Sequence, residues 1–124
     1  MRELRAFLPP LALMAVIFVL SGQESLDTGL GRIDTLLRKL AHFGGYMLLC
    51  GLWWRALRAV VADGRALLFA VAVASAYAAT DEYHQSLVVG RHGTPVDWLI
   101  DTAGAAAAAV LIHRRLPATE RVPA

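Results

Sequence analysis

The segment Val96–His113 is apolar enough to cross a bilayer, yet it carries Asp97 and Asp101 one helical turn apart. A spanning helix needs about 20 mostly apolar residues, with a usable range of roughly 17–25. A carboxylate facing lipid at mid-span is unfavourable by about 2.5–3.5 kcal/mol even on insertion scales. Such a helix folds only where its acids turn away from hydrocarbon toward a partner. Three other apolar blocks precede it: Ala6–Gln23, uncharged throughout; Leu40–Trp54, extendable to Val61 if Arg55 and Arg58 snorkel to headgroups; and Ala66–Thr80. Blocks two to four reach span length only by taking ionisable residues in at one end.

Composition closes off the soluble alternatives. Of the 124 residues 57% are hydrophobic and 18% charged, where a soluble domain has about a quarter charged. A fold this small has too much surface to hide that excess. The same figures exclude disorder. The single Cys50 excludes a disulfide scaffold, and its apolar setting makes it a packing residue. The net charge of +2 comes from arginines placed between apolar blocks rather than along one stripe, so no nucleic-acid partner is expected.

The fold expected is all-α: an integral membrane antiparallel four-helix bundle forming a single domain over residues 1–124. Its spans fall near 6–22, 38–61, 65–85 and 95–113, with a tail at 114–124. A cleaved signal peptide ending near Ser21-Gly22 is the lesser reading of the first block, because the following blocks are equally apolar. Arg2, Arg5, Arg55, Arg58, Arg65, Arg114, Arg115 and Arg121 flank one side of this topology; Arg32, Arg38, Lys39 and Arg91 flank the other. Positive residues favour the cytoplasm, which places both termini inside and two connections outside.

Local signals fill in the ends and seams. Pro9 and Pro10 suit a helix's first turn, and Asp34 is a candidate N-cap for the second helix. Asp63-Gly64 breaks the chain. Thr94-Pro95-Val96-Asp97 has the form of a helix start, and a helix over Pro95–His113 spans about 28 Å. Small residues recur four apart at Ala66, Ala70, Ala74 and Ala78, and again at Gly104 and Ala108, giving faces on which backbones can approach closely. Trp53, Trp54 and Trp98 lie near span ends, where interfacial anchors are expected.

Three polar clusters fall at the outer ends of the helices. Lys39, His42 and Tyr46 are spaced to share one helix face; Asp81 and Gln85 lie one turn apart with Glu82 between them; Asp97 and Asp101 open the fourth helix. The loop Gly90-Arg91-His92-Gly93 adds a guanidinium. The acids are expected to turn inward and pair with Lys39, Arg91 or protonated His42. Duller roles are available to some of them. Asp97 can serve only as a cap, Lys39 as a headgroup anchor, Glu82 by snorkelling, and His84 and His92 as solvated loop residues. Arg91 offers a planar fork for phosphate or carboxylate and Lys39 a point charge. His42 or Glu82 could serve as general acid or base if the protein is an enzyme. Zinc ligation by His42, His84 or His92 lacks the usual motif spacing, so neither metal nor cofactor is expected. No nucleophile elbow, phosphate loop or dinucleotide-binding glycine run is present.

The ordered set Lys39-x-x-His42-x-x-x-Tyr46, Asp81-Glu82-x-x-Gln85, Gly90-Arg91, Asp97 and Gly104 resembles the VanZ-like family, small bacterial membrane proteins named for a teicoplanin-resistance protein. The likeness runs from about Ile33 to Ile112. One departure is Asp101, where the family pattern usually has Asn before Thr-x-Gly. The resemblance implies a polytopic cell-envelope protein and links to glycopeptide resistance. Together these features lead to an outward polar pocket that engages membrane lipids, an anionic lipid-linked cell-wall precursor or the glycopeptide itself. The alternatives are a membrane enzyme acting on a phospholipid or polyprenyl-phosphate headgroup and, more remotely, proton or ion conduction through paired acids in an oligomer.

Overall fold

The computed structural model describes residues 2–21, 32–61, 65–88 and 95–117. These residues form a short helix α1 (Arg2–Arg5) and four long ones: α2 (Leu8–Ser21), α3 (Arg32–Leu57), α4 (Ala66–Ser86) and α5 (Pro95–Arg115). No strand occurs among the described residues. The break between α1 and α2 is local chemistry. Pro9 and Pro10 have no amide to give the carbonyls of Arg5 and Ala6, so the chain tightens there, with Ala6 N–H bonded to Glu3 O at 3.2 Å and Phe7 N–H to Leu4 O at 3.1 Å.

Two boundaries differ from those expected. The second long helix already includes Arg32, ahead of the N-cap expected at Asp34. Asp34 therefore sits inside its first turn, where a carboxylate favours the exposed amides, instead of capping it. It also ends at Leu57, short of Val61. Ala59 N–H and Val60 N–H turn back onto Ala56 O (3.3 Å) and Leu57 O (3.0 Å), and the Arg58 guanidinium lies over Trp54, 4.6 Å from the ring centre. Pro95 occupies the first position of α5, as its sequence setting suggests; Thr94 and Asp63-Gly64 lie outside the described residues.

Cross-helix pairs define the topology. Phe7 meets Trp53, Tyr46 meets Asp81, and Ser75 meets Thr102, so successive long helices run antiparallel and α3 lies parallel to α5. The interior is made of small residues. Ala66, Ala70, Ala74 and Ala78 form a buried stripe down α4; Asp101, Gly104, Ala105 and Ala108 form the buried face of α5. The larger core residues, Tyr46, Leu49 and Cys50, come from α3. A β-carbon added at Gly104 would overlap the Phe43 carbonyl, so glycine is what lets the α3 and α5 backbones touch.

The large apolar side chains point the other way. Leu11, Val16, Phe18, Val19, Leu20, Leu36, Leu40, Leu48, Leu68, Phe69, Leu99 and Leu111 are all exposed. In water this would be an aggregation surface far beyond the patches a monomer tolerates; against lipid tails it is unremarkable. Among the described residues two helical stretches, Arg2–Ser21 and Pro95–Arg115, are long and apolar enough to cross a membrane.

Trp98 is not an outward anchor. It is half-buried, and its indole Nε1–H donates to Ser75 O at 3.0 Å, tying α5 to α4. A partly buried indole N–H needs a partner, and the Ser75 carbonyl supplies it.

Candidate functional site

His42 from the third turn of α3, Asp81 from the penultimate turns of α4, and Asp101 from the second turn of α5 converge at one end of the bundle. His42 Nδ1 lies 3.2 Å from Asp101 Oδ1 and 4.0 Å from Asp81 Oδ2. Tyr46, one turn below His42 on the same face, donates its hydroxyl to Asp81 Oδ2 at 3.1 Å. Close packing puts these groups together: Phe43 and Gly104, whose backbones touch, each neighbour a member of the cluster along their own helices.

Burial makes the arrangement unusual. Asp101 is 0% exposed and Asp81 3%. The His42 side chain is 21% exposed, and is the member through which the cluster meets the surroundings. Among the described residues Asp101 Oδ1 meets only the imidazole Nδ1, at 3.2 Å, and Asp101 Oδ2 and Asp81 Oδ1 have no hydrogen-bond partner. A buried carboxylate without compensation is strongly disfavoured. Two of them share a single imidazole here, so within the described cluster at most one negative charge is balanced.

The remaining candidates are dispersed. Lys39 is exposed and forms no ion pair with the buried acids, and Asp97 is half-buried in the first turn of α5, where it favours the helix amides. Glu82 is buried, but adjacent residues on a helix point roughly 100° apart, and it is not part of the convergent trio. Gln85 is buried further along α4, and its amide donates to Ser21 Oγ at 3.4 Å, joining α4 to α2. Arg91, with Gly90 and His92, lies outside the described residues. His84 stacks on Phe18 with ring centres 4.3 Å apart, directed at α2 rather than the cluster. Of the histidines considered for zinc, only His42 sits beside carboxylates in the described residues: His42, Asp81 and Asp101 each offer one ligand atom, all within 4.8 Å of one another.

Sequence reasoning did not single out Ser75 and Thr102, whose hydroxyls meet at 3.0 Å between α4 and α5, nor Ser21 as a partner for Gln85. The usable signal was a small hydroxyl set within an otherwise apolar helix, where such groups hydrogen-bond across to a neighbour. Tyr77 adds a further tie, donating to the Met14 carbonyl on α2.

A family model described as VanZ/LLP1 matches residues 3–116 of this chain. No curated protein and no solved structure matches it.

Proposed function

Because the chain belongs to the VanZ-like family, we propose that it is a multi-pass protein of the bacterial cytoplasmic membrane whose His42 cluster opens outward and engages an anionic headgroup. The headgroup belongs to a phospholipid or a lipid-linked cell-wall precursor, and its capture changes susceptibility to teicoplanin-type glycopeptides. Both termini are cytoplasmic in this reading, since the arginine-rich segments flank that side. The observation that carries it is Asp101, fully buried yet 3.2 Å from a partly exposed imidazole on another helix. Helices this apolar hold such groups where they contact something polar. Arg91 in the adjoining connection supplies the fork that suits phosphate, and exposed Lys39 draws anions toward the same end.

The partial exposure of His42 beside Asp101 favours one other reading, an enzyme acting on the same headgroup. Asp101 then orients the imidazole as general base, and Glu82 is the second candidate acid.

The experiment uses purified protein in nanodiscs, offered phospholipids and polyprenyl phosphates, with bound lipid and products followed by mass spectrometry. Arg91→Ala is expected to weaken anionic-lipid binding at least tenfold; unchanged binding ends the anion-pocket reading. Conversion of any offered lipid that stops in His42→Ala selects the enzyme. Teicoplanin susceptibility that is the same with wild-type protein and with His42→Ala removes the glycopeptide connection.

A further inference from the structure

The charge imbalance in the cluster has a chemical remedy. Two ionised carboxylates buried beside one imidazole would carry a negative charge that no other described group of the cluster balances, and two of the four carboxylate oxygens have no hydrogen-bond partner among the described residues while a third meets only the imidazole. A doubly charged ion balances both carboxylates with the imidazole neutral. From this geometry we infer that His42, Asp81 and Asp101 form a binding site for a divalent cation of the first transition row.

The distances suit such an ion. Metal–ligand bonds of about 2.0–2.2 Å put the ligand atoms of a tetrahedral site about 3.3–3.6 Å apart. The His42–Asp101 separation is 3.2 Å, that of His42 and Asp81 is 4.0 Å, and all three ligand atoms fall within 4.8 Å. Closing the set takes shifts of about 1–1.5 Å, within reach of aspartate side-chain rotation. The imidazole favours zinc, iron, nickel or copper over magnesium and calcium, and the two carboxylates admit manganese as well. The Tyr46 hydroxyl on Asp81 Oδ2 is the kind of outer contact that fixes a ligating carboxylate. Three protein ligands leave a coordination position for water or an added ligand, and His42 is the ligand nearest the surroundings. The site stands whether or not the protein captures a headgroup.

The test needs no lipid substrate. Full-length protein in nanodiscs is stripped with a chelator, given Zn2+ or Mn2+ alone, and assayed for retained metal. Wild type is expected to hold a single equivalent that excess Mg2+ does not displace. Asp101→Asn and His42→Ala are each expected to weaken binding by ~100-fold or more, with Asp81→Asn close behind. Pulsed EPR of the Mn2+ form is expected to show coupling to an imidazole nitrogen, lost in His42→Ala. No retained metal, displacement by Mg2+, or retention undiminished in all three variants overturns the assignment. If a variant fails to fold, the wild-type nitrogen coupling decides: its presence supports the site and its absence overturns it.

Discussion

Where α5 meets α3, backbone rests on backbone; where α2 meets α4, the tips of side chains do the joining. At the first seam Gly104 lies directly against the Phe43 carbonyl, and Ala105 and Ala108 continue the buried face. At the second, Tyr77 reaches the Met14 carbonyl, Gln85 reaches Ser21, and His84 stacks on Phe18. Both seams are polar in part. At the first the backbones themselves meet, and beside it lies Asp101, the carboxylate with 0% exposure. The difference explains why the acids collect on α4 and α5 against α3. A carboxylate survives in an apolar helix where a neighbouring backbone shields it and a basic group is held in place.

The sharpest way to break this contrast is to leave Asp101 without its base. His42→Ala is expected to destabilise the bundle by about 3 kcal/mol, the lower end for buried pairs because the imidazole is partly exposed. Thermal unfolding in nanodiscs, followed by helical circular dichroism, measures it. The double variant His42→Leu with Asp101→Leu should recover most of that loss, since a well-packed apolar pair replaces a buried ionic one at little cost. If the single and double variants are equally unstable, the effect is packing and not charge.

Next in size is Gly104→Ala. Its methyl meets backbone, not a flexible side-chain end, so α3 and α5 must separate, at about 1–3 kcal/mol in the same assay. Tyr77→Phe is expected to cost least, about 1 kcal/mol, since it removes one partly buried hydrogen bond and keeps the ring. A loss at Tyr77 larger than at Gly104 would reverse the ranking of the two seams.

Much of the bundle was legible because hydrocarbon is a severe filter. The alanine stripe on α4 and the line from Asp101 through Gly104 to Ala108 could be read as inward faces from spacing alone. Spacing also put His42 and Tyr46 on one face. It could not say that Asp101 would choose His42 while Lys39 stayed exposed, because that depends on the register between α3 and α5, which Gly104 sets through a contact with no signature beyond a small residue. The polar first turns of α3 were legible through Asp34 as a capping residue, but the helix reaches back to Arg32, and hydropathy marks only the stretch after Lys39. Trp98 misled because an aromatic near a span end suits an interface and an internal carbonyl equally well.

With alanines lining the inside and leucines, valines and phenylalanines forming the coat, the ordinary map of mutational tolerance is turned inside out. In a water-soluble protein the bulky greasy positions are the vulnerable ones and the periphery is forgiving. Here an outer leucine can become isoleucine, valine or methionine with little consequence, while an inner alanine accepts almost nothing larger. Over many generations such a chain can repaint its exterior while its lining stays fixed.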